Sequence, residues 1–279
     1  KTVGVICEMP NLPTSELRKG VHRLYIKAYY GLMSLYYSRV VNCFCAMGEM
    51  GVAVYNKAGW DIKKLYPYMY CSGDEGCSAT MNCQSDKIKF VYIGRFNGGS
   101  KGVDCLIDAI KKLPKGLNIC IDFVGGYGDL LQEVLNLAEN NDYVRFIGKW
   151  EPATVVNHLS EYDVCLVPSK YDGWNLSANH SINAGIGCII TPEAVSEELI
   201  RYAGSGMVID SNSTEALKAA ILYVVDHPEV IMQWKQAAIA YQPRISAKMV
   251  GDYLIDIFDY TMLNRGTERP RAPWIGEKR

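Results

Sequence analysis

The chain has 279 residues, 29 basic and 30 acidic side chains, a net charge of −1 and 49% hydrophobic content. So even a balance excludes the broad positive field that nucleic-acid binding requires, while the apolar share suffices for two compact domains or one large one. No apolar run is long enough to span a bilayer and no signal-peptide pattern is visible, so a cytoplasmic protein is expected.

In chain order, a strand-like run at 3–7 leads through Glu8, Met9 and Pro10 to a long helical stretch, Glu16–Arg39, crowded with tyrosines at core or interface spacing. A strand at Val40–Cys45, a helix at Glu49–Lys57 and a turn at Ala58–Asp61 follow. This is too little for a doubly wound domain of about 100 residues, and it reads as the second half of one. Residues 1–85 are therefore expected to form a partial Rossmann-like domain and a linker, the linker being the Gly/Ser/Asp-rich stretch Cys71–Asp86.

From residue 86 to 243 short aliphatic runs alternate with amphipathic helices, the pattern of a parallel sheet covered on its faces. The predicted strands are Ile88–Ile93, Leu117–Val124, Val144–Ile147, Asp163–Val167, Cys188–Thr191 and Met207–Ile209. In the first helix Val103, Leu106, Ile107, Ile110 and Leu113 recur at helical spacing, with Asp104, Asp108, Lys111 and Lys112 on the other side. The run Asp129–Asn140 obeys the same rule. Helices at Thr214–Asp226, Glu229–Tyr241 and Ser246–Leu263 are separated by Pro228 and Pro243. The last is expected to pack outside its own sheet, on the N-terminal part. Beyond it Arg265, Arg269, Arg271, Lys278 and Arg279 stand among Pro and Gly, a composition that predicts a solvated tail. Its charges support no more than a peripheral contact with an anionic membrane.

Of the ten cysteines, Cys7, Cys43, Cys45, Cys105, Cys120, Cys165 and Cys188 lie in apolar runs and read as buried free thiols. Cys71, Cys77 and Cys83 lack the close pairing of zinc ligands and read as linker, so no metal site is expected. Such usage implies a reducing compartment.

Two turns carry the chemistry. Gly94-Arg95-Phe96-Asn97-Gly98-Gly99-Ser100-Lys101-Gly102 follows one buried strand, and Pro168-Ser169-Lys170-Tyr171-Asp172-Gly173-Trp174-Asn175 follows another and runs into a helix beginning at Leu176. A helix start presents free N–H groups, a ready anion site. A basic turn and a helix start together predict one diphosphate pocket, with a nucleotide sugar as ligand. Singly, each residue has a plainer reading. Arg95 and Lys101 are ordinary surface cations, Asp172 is a turn cap, Trp174 is packing and His180 is a helix-face histidine. Glu8, after a strand, is a candidate for lining a cleft from the N-terminal side.

Taken in order over Val40 to Leu263, these residues resemble the group-one, retaining glycosyltransferases of the GT-B fold. The family's G-R…K-G turn is matched by Gly94-Arg95 and Lys101-Gly102, and its V-G-x-G turn by Val124-Gly125-Gly126-Tyr127-Gly128. Its F-x-G turn is matched by Phe146-Ile147-Gly148, and its P-S-x-x-E-G-F-G turn by the segment Pro168–Asn175. The resemblance implies an α/β fold of two Rossmann-like domains with a C-terminal crossover helix. It implies a hexosyltransferase of polysaccharide biosynthesis that takes a nucleotide-diphosphate sugar as co-substrate, needs no cofactor, and uses a glycan or lipid-linked acceptor. Carried over by position, Arg95 and Lys101 neutralise the diphosphate, and Asp172 stands where a glutamate contacts the transferred sugar. Gly94, Gly125, Gly173, Trp174, Asn175, Leu176 and His180 complete the donor site. His180 replaces the family's second glutamate, and neutral imidazole has one acceptor nitrogen where a carboxylate accepts two bonds. Asn179 or Asn183 is then an alternative ribose partner.

The family's first N-terminal half has no counterpart in the 279 residues. A separate chain is one way to supply it. Two other functions stay open: a non-catalytic nucleotide-sugar-binding or scaffold subunit that keeps the fold and needs a separate N-terminal half, favoured by His180 and the missing first half, and a sugar-nucleotide epimerase of the same build, which fits the turn motifs less well. Absence of a D-x-D sequence accords with a metal-independent reaction.

Overall fold

The computed structural model describes residues 3–8, 16–72, 87–210, 213–263 and 268–276, without the side chains of 16–23 and 26. The chain divides into two units, Lys1–Cys71 with Arg244–Arg279, and Ser72–Pro243.

The first unit contains β1 (Val3–Cys7), α1 (Glu16–Tyr37), β2 (Val41–Met47), α2 (Gly48–Lys57) and β3 (Leu65–Tyr68). The strands form a parallel sheet in the order β1-β2-β3. Central β2 is apolar almost throughout, as a parallel strand covered on both faces must be. β1 lies at the edge with Ile6 exposed. Phe44 lies in the core of this unit, its ring 4.6 Å from those of Tyr55 and Trp60. The helix α1 meets this core through Tyr30 and Met33, and its Ser34 hydroxyl donates to the Gly59 carbonyl at 2.8 Å. β3 was not predicted. Its four residues include Pro67, which reads as a breaker and is tolerated here at a sheet edge.

The second unit runs β4 (Ile88–Ile93), α3 (Gly98–Lys101), α4 (Val103–Lys111), β5 (Ile119–Val124), α5 (Leu131–Asn140), β6 (Val144–Gly148), α6 (Val155–Leu159), β7 (Val164–Val167), α7 (Leu176–Asn183), β8 (Gly187–Ile190), α8 (Glu197–Ala203), β9 (Gly206–Val208), α9 (Thr214–Asp226) and α10 (Glu229–Tyr241). Six parallel strands lie in the order β6-β5-β4-β7-β8-β9. In α4 the predicted face of Val103, Leu106, Ile107 and Ile110 is fully buried, and each such side chain contributes about 1.5–3 kcal/mol. Strand order reverses between β4 and β7. The carboxyl ends of these two strands therefore flank a crevice, the place where open α/β sheets bind ligands.

One charge sits inside this sheet. Asp122 of β5 is wholly buried and accepts from Arg145 of β6 at 2.8 and 2.7 Å and from the Tyr162 hydroxyl at 2.7 Å. Burial opposes its ionisation, but the bonds from Arg145 and then Tyr162 outweigh burial and hold its pKa below the ordinary carboxylate value.

The last helix, α11 (Ala247–Met262), belongs to the first unit, where the Tyr253 hydroxyl donates to the Pro67 carbonyl at 3.1 Å. The expected solvated tail is corrected over residues 268–276. Trp274 is fully buried with its ring edge-on to Tyr253 at 5.4 Å. Arg269 lies 4.7 Å over the Tyr66 ring and donates to the carbonyls of Ile62 and Leu65. A large indole that finds an apolar seat outweighs a proline-rich, charged context. Arg271 is exposed; Arg265, Lys278 and Arg279 lie outside the described residues.

Cys7, Cys43, Cys45, Cys71, Cys105, Cys120, Cys165 and Cys188 are free thiols. Hydrogen bonding to Cys45 brings the Cys43 thiol down to about 7 against the effect of burial. Cys77, Cys83 and most of the expected linker fall outside the described residues. Among those described, no helix is long and apolar enough to cross a membrane.

Candidate functional site

The site is built from the turns after β4 and β7. The Tyr92 hydroxyl, at the end of β4, donates to the Arg95 carbonyl at 2.6 Å and so sets the direction of the first turn. Gly125 packs behind it. A Cβ there would stand 2.2 Å from the Gly94 carbonyl oxygen, which explains a glycine at the end of β5. The first turn closes at Gly102, whose φ is +67° and whose absent Cβ would lie 1.8 Å from the Pro168 carbonyl oxygen. Only glycine meets both demands.

That close approach joins the two turns. The Ser100 carbonyl accepts from the backbone N–H groups of Lys170 and Tyr171 at 2.8 and 3.0 Å, and Lys170 Nζ lies 2.5 Å from Asp104 Oδ2. On its far side the second turn is held by the Asp172 N–H donating to the Glu193 carbonyl at 3.0 Å and by the Val195 N–H donating to the Asp172 carbonyl at 3.2 Å.

Between the turns is a cavity of about 330 Å³ lined by Gly94, Arg95, Lys101, Asp172, Trp174, Asn175, Leu176 and His180, together with Tyr92, Val155, Ser169 and Ser177. Eight of the predicted site residues thus share one wall. Gly125 and Gly173 stand outside that lining. The Arg95 guanidinium is exposed and makes no ion pair with any described residue. Lys101 is different, because its ammonium is paired with Asp172 Oδ2 where both side chains are largely buried. Asn175 Nδ2 donates to the same oxygen at 2.8 Å. Its Oδ1 caps α7 by accepting from the Ser177 N–H at 2.9 Å. The cap therefore occupies one of the N–H groups that the sequence assigns to an anion.

Asn179 and Asn183, the alternative ribose partners, have other contacts. Asn179 Oδ1 accepts from the buried Trp174 indole at 2.9 Å, and Asn183 Nδ2 donates to Ser72 Oγ at 2.8 Å; neither lines the cavity. Glu8 belongs to the first unit. Its carboxylate accepts from Tyr70 at 2.8 Å, which with burial pushes the Tyr70 phenol up to about 12. The sequence reading missed Tyr92, Ser169 and Lys170. Tyr92 reads as one more aromatic strand residue, and Lys170 as a solvated turn cation.

The description "Glycosyl transferases group 1" matches residues 79–241, more than half of the chain. An uncharacterised glycosyltransferase of Methanocaldococcus jannaschii is 29% identical over 147 residues, 51% of this chain and 37% of that protein. An uncharacterised 41.2 kDa protein in the cps region of Klebsiella pneumoniae is 26% identical over 157 residues, 53% of this chain and 41% of that one. The matched stretch thus spans about two fifths of the length of these relatives. Among solved structures, a glycosyltransferase from Rickettsia africae superposes with a TM-score of 0.70 at 16% identity, covering 94% of this chain and 71% of the other. Anabaena HepE, crystallised with UDP and glucose, gives 0.67 at 13% identity, over 84% and 67%. The architecture is that of GT-B glycosyltransferases, α/β with parallel sheets. With the family's match spanning the whole described sheet of the second unit, the chain belongs to the group-one glycosyl transferases.

Proposed function

We propose that the chain moves a hexosyl group from a nucleoside-diphosphate sugar to a glycan or lipid-linked acceptor, with retention of configuration and without a metal. The observation that carries this reading is the convergence of Arg95, Lys101, Asp172 and the start of α7 on one cavity at the strand-order reversal. Complexes of HepE with UDP and glucose support a nucleotide-sugar donor, and the similarity of fold to WaaG, a glycosyltransferase involved in lipopolysaccharide biosynthesis, supports a role in glycan synthesis.

In this reading the exposed Arg95 guanidinium meets the diphosphate first. Lys101 then exchanges Asp172 for a phosphate oxygen, and Asp172, still held by Asn175, accepts a hydroxyl of the sugar. As the anomeric bond breaks, charge grows on the departing diphosphate. Two fixed cations and the α7 dipole stabilise it there without solvent reorganisation. His180 faces the ribose with a single acceptor nitrogen. The free thiols among the described residues suit a reducing, cytoplasmic setting.

Calorimetric titration with uridine, guanosine and adenosine diphosphates tests the donor site. Arg95→Ala and Lys101→Ala should each weaken the preferred nucleotide about tenfold or more, as loss of a charge-assisted hydrogen bond does. Unchanged affinity in both refutes the assignment. The replacement of a family glutamate by His180 favours a second reading, a donor-binding subunit without turnover. Release of free nucleoside diphosphate from a nucleotide-sugar panel, with acceptor present, separates the two.

A further inference from the structure

The outer face of α1 is apolar and exposed. Leu24, Tyr25, Leu32, Leu35 and Tyr36 are each between 58% and 84% exposed. Their helical spacing sets them on one arc, opposite the arc that meets the first unit's core through Tyr30 and Met33. The helix is thus apolar on two opposite sides, and one of them faces water. Exposed contiguous apolar surface of this kind marks an interaction site.

Charge identifies the occupant. Between residues 16 and 39 the sequence places five cations, Arg18, Lys19, Arg23, Lys27 and Arg39, against the single carboxylate of Glu16, in a chain whose net charge is −1. Lys27 and Arg39 are exposed. A second copy of the chain docked on this face would bring two such basic helices together, which like-charge repulsion opposes. A strand added at the β1 edge would extend the sheet in its own plane, beside α1 rather than over its outer arc. Leucine and tyrosine on one side with lysine and arginine close by is instead the composition of a helix lying in a bilayer interface. Leucines enter the acyl boundary, tyrosine rings sit there with their hydroxyls in the headgroup layer, and cations are drawn to anionic lipid.

We propose that the outer face of α1 docks the protein on an anionic phospholipid surface, lying in the interface rather than crossing it. This is independent of the donor site. Of the C-terminal cations, Arg269 is engaged by backbone carbonyls and the Tyr66 ring.

Sedimentation with vesicles of phosphatidylcholine containing phosphatidylglycerol, and of phosphatidylcholine alone, tests it on the 279-residue chain. Binding is expected to the anionic vesicles, weaker by about tenfold to neutral ones or at high salt. The triple variant Leu32→Gln, Leu35→Gln, Tyr36→Gln should lose vesicle binding by about tenfold or more while keeping its circular dichroism and nucleotide affinity, because these side chains are exposed. Lys27→Glu with Arg39→Glu should weaken binding to anionic vesicles alone. A wild-type chain that stays in the supernatant with both vesicle types overturns the proposal, as does a triple variant that binds like wild type. A wild-type dimer that the triple variant disperses, without vesicle binding, overturns it in favour of a second copy.

Discussion

Lys101 and Asp172 meet as an ion pair on the wall of the cavity, although 71 residues separate them in sequence. The ammonium that would hold phosphate is therefore already engaged by the carboxylate that would hold sugar, and the two roles are coupled. Asp172 competes with a diphosphate for Lys101. Asp172→Asn is accordingly expected to leave nucleoside-diphosphate affinity equal to wild type or a few-fold tighter, while transfer falls by about a hundredfold. Parallel calorimetry and transfer assays read the split. A loss of nucleotide affinity in Asp172→Asn would show that the carboxylate positions Lys101 instead of competing for it.

The Tyr92 hydroxyl donates to the Arg95 carbonyl. Tyr92→Phe removes only the hydroxyl that holds the Arg95 carbonyl at 2.6 Å. The expected outcome is a loss of about 1 kcal/mol of stability and a several-fold weaker nucleotide affinity, with kcat for the remaining bound donor little changed. Thermal unfolding and titration measure the two effects separately.

Gly102→Ala addresses the junction of the turns. A left-handed residue with a side chain costs about 1–2 kcal/mol, and the new methyl would overlap the Pro168 carbonyl, so the turns must part. Stability is expected to fall by about 2–4 kcal/mol, with donor affinity lost more steeply than the melting shift alone explains. Unchanged donor affinity would mean that the two turns act independently.

Much of the second unit was legible in the sequence because its signals are local. The strand at Ile88–Ile93 and the helices Thr214–Asp226 and Glu229–Tyr241 coincide with β4, α9 and α10, since β-branched runs and helical periodicity are properties of neighbouring residues. Gly94, Arg95, Asp172 and His180, which the resemblance assigns to a donor site, line one cavity. The ion pairs of Lys101 with Asp172 and Lys170 with Asp104 were not legible, spanning 71 and 66 residues. No periodicity encodes which cation finds which anion. The same limit hid β3, whose Pro67 is decided by its edge position, and the second task of Asn175, which as a helix cap also fixes Asp172.

The Asp122 network predicts acid sensitivity with a definite sign. Its carboxyl pKa is lowered in the folded state, so the stability it contributes is fully present above the unfolded value of about 3.9 and is lost as pH falls through the lower folded value. Asp122→Ala should cost about 3 kcal/mol at neutral pH and flatten this part of the stability profile below about pH 4. Denaturant titrations across that range provide the check. An identical acid limb in the variant would assign the acid loss to other carboxylates.

The burial of Trp274 beside Tyr253 bears on how the polypeptide acquires its shape as it leaves the ribosome. The first unit takes its final helix and this indole from beyond residue 244, so its opening strands must wait while the whole second unit is synthesised. Nascent β1, β2 and β3 spend that interval without their last partners, exposed to chaperones, whereas the second unit can mature as one uninterrupted segment.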